Sequence, residues 1–153
     1  MSEILPLIEE TQEVAAPPAT VWKLVSDLPR IAEWSPQVVK TIVTGRPIQL
    51  GSRMFNVNRK GLLVWPTRSK VIRFEPQSEI AFRIKDNATI WSFTLEPTET
   101  GTLVTHRREA PNGTTKLSDL AIRRVMGGQK SFQEELRAGM RKTLAGVKAV
   151  AEA

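Results

Sequence analysis

Apolar residues recur at Phe132, Leu136, Met140, Leu144 and Val147, with Gly139, Thr143 and Val150 beside them. Steps of three and four put one apolar stripe along a helix in the last third of the chain. Unbroken over residues 119–151, that helix would run roughly 50 Å at 1.5 Å per residue. Gly127 and Gly128 interrupt it. Two adjacent glycines cost on the order of 1–2 kcal/mol in helix propensity. The pattern therefore predicts a main helix over residues 129–151 and a separate short segment over residues 117–126.

Most of the chain before this helix reads with a period of two. Residues 7–15 form a first strand candidate anchored by Ile8 and Val14. Pro17 and Pro18 end it and suit a helix start, since proline is tolerated in a first turn. Val21, Trp22, Leu24 and Val25 supply an apolar side for a short helix over residues 20–26. Asp27 is positioned to cap a second short helix with Pro29 in its first turn, ending near Ser35–Pro36.

Strand candidates follow at residues 38–44, 53–59, 62–74, 80–85, 91–96 and 102–109. Pro66 interrupts the third of these, which implies an edge, a bulge or two pieces. In the second, Phe55 and Val57 alternate with Met54, Asn56 and Asn58. The simpler expectation turns the asparagines outward; an inward Asn56 would instead hydrogen-bond a ligand oxygen. Ile80, Phe82 and Ile84 alternate with Ala81, Arg83 and Lys85, and Trp91, Phe93 and Leu95 with Ser92, Thr94 and Glu96. A turn at residues 98–101 joins the last two strands in a hairpin. Consecutive strands with short loops make an antiparallel meander, and the added helices make the fold class α+β.

Composition narrows the chemistry. The 153 residues suit a single domain, residues 1–153, without repeat or linker. With no cysteine, disulfides, thiol catalysis and cysteine-held metals are excluded, and a reducing, cytoplasmic setting is expected. One histidine leaves no basis for a histidine metal cluster, so no metal or cofactor is expected. No apolar run reaches the roughly 20 residues a membrane helix needs. The net charge of +6 favours acidic partners. Its lysines and arginines are scattered from Lys23 to Lys148 rather than clustered. A solvated surface is therefore the first reading, no nucleic acid is expected, and peripheral contact with an anionic membrane or a protein partner is the alternative.

The segment EVAAPPATVWKLVSDLPRIAEWSP at residues 13–36, the glycine in LGSRM, WSFTLEP before a turn, and GTLVTHRRE carry a resemblance. Together with the element order, they resemble the START-like (Bet v 1-like, helix-grip) superfamily, and within it the SRPBCC polyketide cyclase/dehydrase-like group. The resemblance implies a curved antiparallel sheet of six to seven strands gripping the long C-terminal helix, with two short helices after strand one. It also implies a mainly apolar cavity between sheet and helix. The function it implies first is binding of a small apolar, lipid- or polyketide-like ligand. The alternative is a polyketide cyclase/aromatase or dehydratase-type enzyme.

On that architecture Trp34 and Trp91 belong to the elements that close and floor the cavity, with simple core packing the alternative, and Trp65 is a rim residue or an exposed contact. Phe55, Phe82, Phe93 and Val104 are the expected sheet contributions. The stripe residues Phe132, Leu136 and Met140 would form the helix wall. His106, whose side chain ordinarily titrates near neutrality, is the general acid/base candidate, with Arg108 beside it on the same strand face. Arg107, Arg108 and Glu109 are suited to orienting an anionic or carbonyl-bearing ligand. The bland readings are a structural histidine and a solvated strand end. Neither face of residues 102–109 is cleanly apolar, so periodicity leaves open which one points inward.

Overall fold

A computed structural model describes residues 4–153. Seven antiparallel strands make one curved sheet: β1 (Leu7–Val14), β2 (Val38–Val43), β3 (Arg53–Lys60), β4 (Leu63–Glu75), β5 (Glu79–Ile84), β6 (Thr89–Pro97) and β7 (Thr102–Glu109). Strands β2 to β7 pair in sequence order as a meander, and β1 joins the far side, against β7. Helix α1 (Pro18–Val25) and a 3-10 helix (Leu28–Glu33) carry the chain from one edge of the sheet to the other. Two helices end the fold, α2 (Lys116–Val125) and α3 (Gln129–Ala151).

The break between these last helices lies at Gly127 and Gly128, whose φ angles of 83° and 90° are left-handed conformations that glycine adopts at little cost. Pro18 opens α1 in its first turn. Pro66 is tolerated for a related reason. It pairs with Val57 of β3, whereas β5 reaches along β4 only as far as the Ser69–Ile84 pair. Pro66 therefore occupies the free side of a strand that is central elsewhere. Asp27 departs from expectation: it makes no capping hydrogen bond, and its carboxylate instead faces Arg46 at 3.7 Å.

Helix α3 does different work along its length. Its second half packs Leu144 and Val147 into a solid core with Val14, Val25, Val71 and Ile80. Val104 belongs to this core as well, fully buried among apolar side chains. Two glycines on α3 make flat seats for the segment after the 3-10 helix. A Cβ on Gly139 would lie 3.3 Å from Pro36 Cγ, and one on Gly146 would fall inside the Trp34 side chain. Trp34 is thus the filler between that segment and α3, held by close packing.

Candidate functional site

The first half of α3 does not pack solidly. Between it, α2 and the inner faces of β2 to β7 lies a cavity of about 960 Å³. Its helix wall is mainly apolar, with Phe132, Leu136 and Met140 of α3 and Ile122 and Val125 of α2. Phe82, Trp91 and Phe93 continue this surface on the sheet. Trp65 lies on the lining where β4 emerges beyond β5.

The wall made by β2, β3 and β4 has the opposite character. Thr41, Asn56, Asn58, Thr67 and Ser69 are all at most 9% exposed and all face the cavity. They form a hydrogen-bonded ladder across the strands. Thr41 Oγ1 donates to Asn56 Oδ1 at 2.9 Å, and Asn56 Nδ2 donates to Ser69 Oγ at 3.1 Å. Asn58 Nδ2 donates to Thr67 Oγ1 at 3.0 Å and to the Trp65 carbonyl at 3.2 Å. In each case the hydroxyl of Ser69 or Thr67 is used as an acceptor, so its own hydrogen remains for an acceptor inside the cavity. Above the ladder, Trp91 Nε1 donates to Thr89 Oγ1 at 3.1 Å, which satisfies the indole and fixes its ring.

Strand β7 supplies the remaining groups. Thr102, Val104, His106 and Arg108 share its inward face, because His106 stands opposite Phe93 and Arg108 opposite Trp91. His106 stacks on Phe93 with centroids 4.0 Å apart and planes 1° from parallel. Its Nδ1 lies 2.8 Å from the Ser92 carbonyl, an acceptor, so Nδ1 carries the proton and Nε2 keeps its lone pair. Burial pushes the imidazole pKa down to about 4, against a smaller opposing effect of the Ser92 bond. Arg108 is 2% exposed, and Gln133 Oε1 accepts from its Nη2 at 3.0 Å. Burial lowers the guanidinium pKa to about 10, which leaves it charged at neutrality.

The His106 environment fixes a pH dependence. In the unfolded chain the ring takes up a proton as pH falls through 6.5, whereas the folded protein does so only near 4. Between those values the unfolded state binds more protons, so stability must fall as pH falls. The full difference is roughly 3 kcal/mol, at about 1.4 kcal/mol per pH unit of the window. Thermal melts between about pH 7 and pH 4 should drop more steeply for the natural protein than for His106→Gln. Parallel curves would show that His106 is not buried in its neutral form.

Of the residues expected at the site, Trp65, Phe82, Trp91, Phe93, Phe132, Leu136 and Met140 line the cavity, as do His106 and Arg108. Three do not. Phe55 lies on the outer face of β3 and is 41% exposed, because its neighbours Asn56 and Met54 take the inner face. Val104 sits in the solid core beyond the cavity's end. Trp34 packs against Gly146 of α3 instead of closing the cavity. The outward placement expected for Asn56 and Asn58 is reversed. The signal for them lay in the succession of small hydrogen-bonding residues at alternate positions of three neighbouring strands, Thr41, Asn56–Asn58 and Thr67–Ser69. Gln133, on the apolar stripe's flank, carried no comparable signal.

Residues 6–152 match the family model described as polyketide cyclase / dehydrase and lipid transport. The chain belongs to this family. Among solved structures, this polyketide cyclase/dehydrase family member is similar to the di-domain ARO/CYC StfQ from the steffimycin biosynthetic pathway, at TM-score 0.77 and 19% identity. That match covers 97% of this chain and 51% of StfQ. The di-domain ARO/CYC BexL matches at TM-score 0.71 and 21% identity, over 96% of this chain and 50% of BexL. The chain therefore spans about half the length of these di-domain proteins. A polyketide-cyclase-like protein from Corynebacterium glutamicum matches at TM-score 0.61 and 28% identity, over 98% and 93% of the two chains. No curated protein matches the sequence. Among the described residues of this family member, no helix is long and apolar enough to cross a membrane.

Proposed function

We propose that this protein binds a small polyketide- or lipid-like molecule in the cavity between sheet and α3. The observation that carries this reading is the cavity of about 960 Å³ with one apolar and one hydrogen-bonding wall. A volume of that size accommodates a ligand of several fused rings or a long chain. Burial against Phe132, Leu136 and Met140 supplies affinity, about 2.5 kcal/mol for each 100 Å² of apolar surface removed from water. The hydroxyls of Ser69 and Thr67 and the Asn58 amide orient carbonyl or hydroxyl oxygens along the opposite wall. Such spaced oxygens are what a polyketide-derived skeleton presents and a plain hydrocarbon lacks. The absence of cysteine suits a protein working in the cytoplasm.

Titration with the neutral hydroxymethyl derivative of anthraquinone tests the reading. Trp65 and Trp91 line the cavity, so binding is read as a change in tryptophan fluorescence. Met140→Trp fills part of the same cavity and should weaken binding at least roughly thirtyfold, a loss of about 2 kcal/mol. Equal affinity in the folded Met140→Trp protein, or none in the natural protein, overturns the reading.

A second reading, ring-closing or dehydrating chemistry, has one observation in its favour. The His106 ring and the Arg108 guanidinium stand two residues apart on the strand face that lines the cavity. His106 Nε2 would then accept a proton while Arg108 stabilises the developing oxyanion. The magnitude argues for binding first: a base whose conjugate acid has a pKa near 4 is weak at neutral pH. Turnover of a polyketide substrate left undiminished by His106→Ala would remove the histidine from any such mechanism.

A further inference from the structure

Among the described residues, Arg108 is a buried cation without a matching anion. Its neighbours on the strand and at the cavity rim are matched. Arg107 Nε lies 2.6 Å from Glu9, and Glu109 lies 3.5 Å from Arg73. On the lining, Lys60 pairs with Glu135 at 2.8 Å and Asp86 with Arg68 at 3.1 Å. Among the described residues no carboxylate comes within ion-pair distance of Arg108. Among the described residues its single side-chain acceptor is the neutral amide of Gln133, and its buried Nε meets none. A guanidinium offers five N–H donors in a rigid fork, so most of this one's capacity is unspent.

A buried charge left in this state is costly, and natural interiors avoid it unless a partner completes the pair. The partner position is open in the right direction, because Arg108 lines the cavity. Gln133 fixes the fork from the α3 side. Its Oε1 also accepts from the Leu5 N–H at 2.8 Å, and its Nε2 donates to the Gln129 carbonyl at 3.1 Å. The guanidinium is thus held in place before any ligand arrives, which lowers the ordering cost of binding. Resting on the cavity-binding reading above, we infer that the ligand is an amphipathic carboxylate whose acid group pairs with Arg108. Its skeleton lies against Phe132, Leu136 and Met140, and its remaining oxygens meet the Asn58, Thr67 and Ser69 wall. A carboxylate fits the planar fork by two parallel N–H···O bonds, whereas an alcohol of the same skeleton offers one uncharged acceptor.

The test compares two probes of one skeleton, the carboxylate and the hydroxymethyl derivatives of anthraquinone, by calorimetry and tryptophan fluorescence. The natural protein should bind the carboxylate roughly ten- to hundredfold tighter, the range expected of a charge-assisted hydrogen-bonded pair. In Arg108→Gln that ratio should collapse to about one or below. Arg108→Lys, which keeps the charge without the fork, should retain only part of it. Equal binding of the two probes by the natural protein overturns this inference while leaving cavity binding intact. So does a preference that persists in Arg108→Gln. Failure of both probes to bind the natural protein defeats the cavity reading and this inference with it. The first comparison uses the natural protein alone, so it stands even where a variant does not fold. Removal of an unmatched buried charge should itself raise the melting temperature of Arg108→Gln.

Discussion

A Gly101→Ala protein should melt about 10 °C below the natural one. Gly101 sits in the turn between β6 and β7, pressed against the end of β1. A Cβ there would overlap the Val14 carbonyl oxygen and lie 2.8 Å from Ala16 N and 3.0 Å from Ala15 Cα. All three obstacles are backbone, so no rotamer change relieves them. Moving the backbone is expensive on both sides. Val14 and Thr102 are register partners and both fully buried, and Thr102 Oγ1 donates to the Ala16 carbonyl at 2.8 Å. The substitution must therefore spread β1 from β7 or distort the turn, at a cost of roughly 3 kcal/mol. For a chain of this size each kcal/mol is worth about 2–4 °C. A circular-dichroism melt displaced by less than about 3 °C would show that the contact is loose.

The second large effect has a sign opposite to helix propensity. Gly146 lies inside α3, where alanine is ordinarily better by about 1 kcal/mol. Here an alanine methyl would enter the Trp34 side chain, with Trp34 Cβ only 2.9 Å away. Displacing a packed tryptophan costs on the order of 3–5 kcal/mol, so Gly146→Ala should destabilise by about 2–4 kcal/mol. In a Trp34→Gly background the whole obstacle, Cβ included, is gone, and the same change should stabilise by up to about 1 kcal/mol. Chemical denaturation of the four proteins of this cycle checks both signs. Gly146→Ala destabilising equally in both backgrounds would rule out Trp34 as the cause.

The fold was legible because most elements obey the ordinary period. The sequence places α3, the break at Gly127–Gly128, and the β6–β7 hairpin where the structure has them. In these stretches the apolar periodicity marks the buried face, as with Phe93 and Leu95 on β6 and Leu144 and Val147 on α3. The candidate site was legible where the cavity wall is apolar, and failed where it is not. On β3 the alternation rule turns Phe55 inward and Asn56 outward, whereas the structure does the reverse. The rule assumes that inward means water-free and apolar. An inner face that meets a cavity is released from that assumption, and Asn56 and Asn58 are satisfied by hydrogen bonds to β2 and β4 instead. Strand β7 was ambiguous for the same reason. Its inward face runs from core at Val104 to cavity lining at His106 and Arg108, so no single polarity describes it. Trp34 was misplaced because its partner is a glycine some 110 residues further on, a pairing that local spacing does not encode.

The strand order also sets a schedule for synthesis. Strand β1 is made first, yet its hydrogen-bonding partner is β7, in a register that runs from Leu7 opposite Glu109 to Val14 opposite Thr102. Strands β2 to β7 meet their neighbours as they emerge, each across a short turn. The apolar residues Ile8 and Val14, by contrast, must wait until nearly the whole sheet exists. Closing so long a loop makes the first strand's docking a slow, late event of the kind that non-local β pairing imposes. A nascent chain arrested before residue 102 holds β1 as an unpaired strand with Ile8 and Val14 uncovered, a form open to chaperones or to other strand edges.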